Sequence, residues 1–304
     1  MKLVTTTGDF DRFCSSYLER IQNVYEAGFR YMDLSMYTVG EEDELIDNNH
    51  WMDTIHRIKA YAEERDIHFL QAHAPDTNAL AGEEAFEIAV RRTARAIAVC
   101  GELGIPNLVV HPGWDRDATK EEWFEGNRRF FAKLFPVMEQ YQVNVLHENT
   151  TGANMPWYFP KTGADMREFA EYVGHPLFHA CWDTGHANVE GSQYEEILAI
   201  GRELYAVHIN DNRGKQDEHL IPFMGTLNMD EIMHALKDVG FQGPFTLEAG
   251  SCLRPKNYWL GGRRNFEQDT RLANPPLFLQ KELEKFMYQT GKYLLEMYNV
   301  FETE

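Results

Sequence analysis

Cysteine is scarce and scattered in this chain. Its four cysteines, Cys14, Cys100, Cys181 and Cys252, form no CxxC pair, which argues against a disulfide framework and makes a reducing, cytoplasmic setting the expectation. No apolar run approaches the roughly 18 residues of a membrane span. The opening MKLVTTTGDF also lacks the charged-then-apolar pattern of a signal peptide. Bases are in short supply, with 29 Lys and Arg against 48 Asp and Glu and a net charge of −19. That balance opposes a DNA duplex, which carries one negative charge about every 1.7 Å of its axis. Neither nucleic acid nor membrane is therefore the expected partner. Internal repeats, low-complexity tracts and interdomain linkers are absent as well. What is present is a globular composition, 43% hydrophobic and 25% charged. A chain of 304 residues fits one large α/β barrel or two ordinary domains.

Short apolar, β-branched runs alternate with longer amphipathic stretches from end to end. The runs predict strands at 2–7, 31–36, 68–74, 107–111, 144–148, 178–183, 204–209 and 244–248. Between them the spacing predicts helices near 11–27, 49–65, 83–103, 119–140, 165–173, 193–200 and 228–239, with a last one at 278–300. Asp165 and Asn228 read as N-caps. Eight strands, each followed by a helix, is the count of a (β/α)8 barrel, but a doubly wound sheet has the same local rhythm.

Polar residues favour the barrel. Six consecutive strands end in a side chain able to bind metal: His73, His111, Glu148, Asp183, His208 and Glu248. They lie 25 to 40 residues apart, averaging 35, close to the roughly 31 per unit of a typical barrel. A closed barrel brings six successive strand ends around one point, whereas an open sheet spreads them along an edge. The expectation is thus α/β, a (β/α)8 TIM barrel, with residues 1–304 as a single domain. Two irregular stretches stand out, 39–49 and the long loop 250–277 after strand eight. The second holds Arg254, Lys256, Arg263, Arg264 and Arg271 against Glu267 and Asp269, with Tyr258 and Trp259 among them. In so acidic a protein, such a loop at the strand ends is expected to touch substrate.

CWDTGHAN adds His186 to Asp183, and RGKQDEHLIPFMG adds Asp217 and His219 after strand seven. A single histidine after a strand is more often packing than a ligand, and a lone glutamate has a reading as half of an ion pair. Nine such residues together, in a chain with 12 histidines, are harder to explain by packing. Mixed carboxylate and imidazole suits Mn, Zn, Co, Mg or Fe(II), and the lack of nearby thiolates argues against a structural zinc site.

These phrases carry a family resemblance. HAP at 73–75, VVHPG at 109–113, HEN at 147–149, DTGHAN at 183–188, HINDN at 208–212, DEHL at 217–220 and LEAG at 247–250 resemble, in order, the motifs of the xylose-isomerase-like barrels. That superfamily joins sugar and sugar-phosphate isomerases and epimerases with metal-dependent apurinic-site endonucleases. Its isomerase branch implies one divalent ion (Mn, Zn, Co or Mg) held by Glu148, Asp183, His208 and Glu248. Glu148 and Glu248 would be the catalytic pair, moving a proton on opposite faces of the substrate carbon, while His186 and Arg213 would hold substrate oxygens. A cation bridging both oxygens acts as Lewis acid on the enediolate formed next to a carbonyl, and the acid and base decide where hydrogen returns.

The endonuclease branch implies up to three zinc ions, with His73, His111, His186, Asp217 and His219 as further ligands. All nine are present, so charge decides: groove binding of DNA by a −19 protein needs a concentrated basic face, and the sequence offers only the modest 254–271 cluster. The expectation is a metal-dependent isomerase or epimerase of a small carbohydrate. The nuclease stands second, beside carbohydrate dehydratases, lyases and carbon-glycoside-cleaving relatives. No phosphate-binding loop is obvious after strands seven and eight, which leans toward an unphosphorylated substrate.

His73, His111, Trp114 and Asn149 complete the expected substrate contacts, with metal-ligand support as the competing role for Asn149. Trp182 should face a helix if Asp183 faces the pocket, with Cys181 one layer below Asp183. The aromatic last helix (Phe286, Tyr288, Tyr293, Tyr298) reads as barrel packing or a subunit contact, which leaves room for a homo-oligomer.

Overall fold

A computed structural model describes residues 1–40, 43–152, 155–253 and 271–302. Eight parallel strands, β1 (Leu3–Thr6), β2 (Tyr31–Ser35), β3 (His68–His73), β4 (Asn107–Val110), β5 (Asn144–Glu148), β6 (Phe178–Asp183), β7 (Leu204–Ile209) and β8 (Phe245–Leu247), close into a barrel in sequence order. The ring is sealed by β1 pairing with β8, Val4 opposite Thr246. Around it run α1 (Tyr17–Ala27), α2 (Trp51–Arg65), α3 (Glu83–Leu103), α4 (Lys120–Tyr141), α5 (Gly163–Val173), α6 (Thr184–Asn188), α7 (Tyr194–Ile200), α8 (Met229–Asp238) and α9 (Leu277–Met297). No described helix is long and apolar enough to cross a membrane.

Alternation along the strands sorts side chains into two cores. Small inward residues, Val109, Leu146, Cys181 and Ala206, form a compact plug inside the barrel. The larger outward ones pack beneath the helices. Strand β6 shows the rule. Asp183 and Cys181 share the inner face, and Trp182 points outward, where its indole N–H donates to Gln193 Oε1 at 3.0 Å. All four cysteines are free thiols.

Local chemistry moved several expected boundaries. Residues 7–10 form a 3-10 turn, so α1 begins at Tyr17, where the Ser16 hydroxyl accepts from the Glu19 amide. Asp165 is not the N-cap of its helix. Thr162 caps α5, and Asp165 returns the bond from the third position as a capping box. Asn228 caps α8. The turn α6 was not foreseen, because it follows β6 directly with Asp183 as its N-cap. In the 39–49 stretch, Asp43 accepts from the amides of Leu45 and Ile46, and Asp47 pairs with Arg91 and Arg92 of α3. Residues 43–47 are thus pinned to α3. The basic residues Arg254, Lys256, Arg263 and Arg264, with Tyr258 and Trp259, lie outside the described residues. On α9, Tyr288 packs edge-on against Phe29, whereas Phe286 and Tyr293 are exposed.

Asn127 links this outer packing to the barrel mouth. Fully buried on α4, it accepts from the Gly113 amide at 2.6 Å and donates to the carbonyls of Gly113 and Trp123, each at 3.0 Å. Gly113 lies two residues past His111, so Asn127 holds the loop that carries that imidazole. Asn127→Leu should cost about 2–4 kcal/mol in urea unfolding, because it strands buried backbone groups at roughly 1–3 kcal/mol each. A change within about 0.5 kcal/mol, the size usual for surface substitutions, would refute this anchoring role.

Candidate metal centre

The C-terminal ends of β3 to β8 and the turns that follow them bring nine side chains to the barrel mouth in three groups. Within each group, potential ligand atoms lie no more than 4.8 Å apart: Glu148, Asp183, His208 and Glu248; His73, His111 and Glu148; and His186, Asp217 and His219. Glu148 belongs to two of them. Its Oε1 is 2.9 Å from His208 Nδ1 and its Oε2 is 2.9 Å from His111 Nε2, with His73 Nε2 at 3.5 Å. The other side of His208 Nδ1 is met by Glu248 Oε2 at 3.1 Å.

The backbone sets several ring orientations. His73 Nδ1 donates to the Ala74 carbonyl at 2.9 Å, turning Nε2 toward Glu148. His186 Nδ1 does the same to the Asn149 carbonyl at 2.9 Å, and His219 Nδ1 to the Glu248 carbonyl at 2.8 Å. Their Nε2 atoms face Asp217 Oδ2, at 3.3 and 3.0 Å. His219 holds this pose at φ +49°, a left-handed conformation unusual for a non-glycine residue. Asp183 uses one oxygen to accept from the His186 amide and the other to accept from Asn210 Nδ2 at 2.7 Å. Gly185 makes this approach of α6 to β7 feasible, because a Cβ there would lie 1.7 Å from Asn210 Oδ1.

Burial and neighbouring charge pull the titrations apart. Burial opposes ionisation of Glu148, yet His208, His111 and His73 hold its carboxyl well below the ordinary range. Glu248 is brought down to about 2 against burial by His208 and then His219. Burial dominates at Asp183 and, with the Glu148 charge, lifts it to about 6. His186 is raised to about 10, burial being outweighed by Asp183 and Asp217. His219 rises well above its usual value for a similar reason, with Asp217 first among its partners.

A divalent cation suits this donor set. Oxygen and imidazole nitrogen are mixed without thiolate, as Mn, Zn, Co or Mg sites require in varying proportion. Asp217 Oδ1 is buried with no hydrogen-bond partner, a free acceptor on the carboxylate whose other oxygen faces the two imidazoles. Glu148, Asp183, His208 and Glu248 would hold one ion, and the two histidine-rich groups have the ligands for more.

Three other sequence-derived candidates are placed differently. Asn149 accepts from the Asp183 amide at 2.6 Å and donates to its carbonyl at 3.0 Å, so its side chain braces the Asp183 backbone. Arg213 pairs with Glu218, is 65% exposed, and lies outside the described cavity lining. Trp114 is also outside that lining, 39% exposed beside Trp157. The sequence reading missed a polar layer beneath the ligands. Gln71 meets His208 Nε2 at 2.7 Å and donates to Asp33 at 3.0 Å, and Thr6 donates to Asp33 at 3.1 Å. The available signal was Gln71, two residues before His73 on a buried strand and thus on the same inward face.

The open space above the centre is a cavity of about 490 Å³, walled on one side by Asp9, Asp11 and Arg12 of the segment after β1, and by Ser35, Tyr37 and Thr38. Among its described lining residues, Arg12 is the sole arginine and there is no lysine.

Residues 21–268 match the family profile described as a xylose isomerase-like TIM barrel. The chain is 28% identical over 202 residues to an uncharacterized protein of Methanocaldococcus jannaschii, MJ1311, covering 63% of this chain and 68% of that protein. It is 25% identical over 169 residues to an inosose isomerase of Bacillus velezensis (53% and 58% covered). With a probable endonuclease 4 of Citrifermentans bemidjiense the identity is 27% over 163 residues (47% and 56%). The matches thus span little more than half the length of these last two relatives. A solved D-tagatose 3-epimerase-like protein superposes with a TM-score of 0.72 at 20% identity, covering 98% of both chains. An L-ribulose 3-epimerase gives 0.74 at 16%, covering 98% of this chain and 96% of that one. At such identities the superpositions speak to the fold.

The raised titrations of His208 in the four-residue group and of His219 in the third fix the sign of a pH effect. Each shift favours the protonated ring in the ion-free protein, and an imidazolium cannot ligate, so ion uptake at either group would displace a proton. Apparent affinity for Mn2+ or Zn2+ should rise by up to ~10-fold per pH unit for each proton released between pH 6 and 9. Calorimetry in buffers of different ionisation enthalpy measures that release, and pH-independent binding without it would contradict this account.

Proposed function

The chain belongs to the xylose isomerase-like TIM-barrel family, and from that premise we propose that it is a divalent-metal-dependent isomerase or epimerase of a sugar or sugar-like polyol. The observation that carries this reading is the convergence of Glu148 and Glu248 on one side chain, His208, at the floor of a cavity of about 490 Å³. The inosose isomerase among its relatives agrees with it.

When bound, the ion supplies Lewis-acid stabilisation of the negative charge that develops on a carbonyl oxygen during proton abstraction. The protein supplies the rest. Glu148 and Glu248 are both held ionised, ready to accept a proton from the carbon beside the carbonyl, and each can return one once protonated. Their carboxylates reach the site from β5 and from the end of β8, so a substrate between them meets proton-transfer groups from two sides. His186, His73 and His111 are placed to bind hydroxyl groups. A cavity wall rich in carboxylates and hydroxyls favours an unphosphorylated, neutral substrate.

The nuclease remains a second reading because all nine ligand residues converge and a probable endonuclease 4 is among the relatives. The net charge of −19 opposes it. Incision of an abasic-site duplex at physiological salt would establish it.

Glu148→Gln and Glu248→Gln should each lower turnover of a keto-sugar at least ~10²–10⁴-fold, the usual scale for a lost general acid or base, with the fold retained by circular dichroism. The wild type in D2O should place deuterium on the carbon next to the carbonyl, and chelation should stop that exchange until Mn2+, Co2+ or Zn2+ is restored. Turnover without solvent hydrogen exchange, in a Glu248→Gln variant as active as wild type, would sink the assignment.

A further inference from the structure

A second group of buried donors lies behind the cavity wall, where α9 packs across the seam between β1 and β8. Glu284 on α9 is fully buried, and neither of its carboxylate oxygens has a hydrogen-bond partner of good geometry. It faces Thr5 and Asp9. Gln280 projects from the same face one helical turn earlier. It too is fully buried, and both atoms of its amide are unpartnered. Thr5 Oγ1 lies 3.5 Å from Asp9 Oδ2 and 3.4 Å from the Leu247 carbonyl. Asp9 is wedged against the loop after β8, where a Cβ on Gly250 would come within 2.1 Å of Asp9 Oδ1.

This arrangement has a charge problem. Asp9 is the charged group bearing on Glu284, and it has the same sign. Burial, and then the Asp9 charge, push the Glu284 carboxyl well above the ordinary range. A buried carboxylate without a partner of good geometry is costly, and Glu284 is one, set against Asp9, which accepts from the Thr5 hydroxyl at 3.5 Å. One proton shared between them would satisfy a single pair of oxygens and leave the Gln280 amide orphaned. A cation would engage both carboxylates, the amide oxygen and the Thr5 hydroxyl together.

We infer that Asp9, Glu284, Gln280 and Thr5 form a site for an oxygen-seeking cation of the alkali or alkaline-earth class, separate from the centre at the barrel mouth. Every donor is oxygen, the preference of Ca2+, Mg2+, Na+ and K+. The mouth offers imidazole and so competes better for transition metals. Asp9 also lines the catalytic cavity, which gives the ion a route in. Bound there, it would tie α9 to β1 and fix the Asp9 wall of the cavity.

The test is thermal unfolding of the full chain, stripped by chelator, then titrated at fixed ionic strength with CaCl2, MgCl2, NaCl or KCl against tetramethylammonium chloride. At least one ion should raise the midpoint of the wild type and equally of Glu148→Gln, which removes the ligand shared by two of the three groups at the mouth. The effect should vanish in Glu284→Gln and require about tenfold more ion in Gln280→Leu. Gln280→Leu leaves both carboxylates in place and carries the test alone if Glu284→Gln does not fold. Stabilisation that disappears in Glu148→Gln but survives in Glu284→Gln assigns the effect to the mouth and overturns the inference. So does a wild type indifferent to all four ions with a Glu284→Gln variant more stable than it, the mark of a shared proton.

Discussion

Burying carboxylates is the constraint on which the rest of this barrel turns. Glu148 and Asp183 are almost wholly removed from water, and Glu248 joins them around a single imidazole within 4.8 Å. Like charges so placed repel strongly in a medium that screens poorly. The surrounding architecture answers that repulsion piece by piece. Four further histidines face the carboxylates, α6 turns the His186 amide toward Asp183, and Asn210 takes its remaining oxygen. Gln71 and Asp33 hold His208 from below. Small residues fill the barrel beneath this layer, so its position is set by packing as well as by hydrogen bonds.

Much of this was legible in the sequence, and the reason is geometric. A parallel barrel places the last residue of every strand at one mouth, so a strand that ends in a polar residue reports its own position. His73, Glu148, Asp183 and His208 could therefore be placed before any coordinates, and so could the outward Trp182 and inward Cys181. Residues beyond the strand ends were harder to place. Arg213 sits between β7 and α8, where a backbone bridge from Asp211 to Leu220 and the closely packed Gly225 shape the chain. Its partner, Glu218, is set by that loop conformation, and no periodicity encodes it. Asn149 shows the same limit in another form, since its proximity to Asp183 was readable but its engagement with the backbone was not. Asp165 carried a correct signal, a helix start, but three positions late: a capping box has two polar members, and Thr162 is the outer one.

The acidity of the chain takes on a double meaning. At the level of composition it discourages polyanions. At the mouth it becomes a local property, because Glu148, Asp183, Asp217 and Glu248 are concentrated where a cation would neutralise them. Glu284 and Asp9 extend the same theme to the outside of the sheet, where α9 meets β1 with no lysine or arginine among the groups described as bearing on Glu284. Two regions of concentrated negative charge share one wall, and Asp9 belongs to both.

The span of the centre along the chain has a kinetic consequence. Its donors come from residue 73 to residue 248, and the ring around them closes where β8 meets β1. No short fragment holds a complete set, and contacts so distant in sequence form late. Capture of an ion at this centre would thus wait on assembly: a nascent or misregistered chain offers scattered weak ligands, and only a finished barrel would compete for metal in the cell.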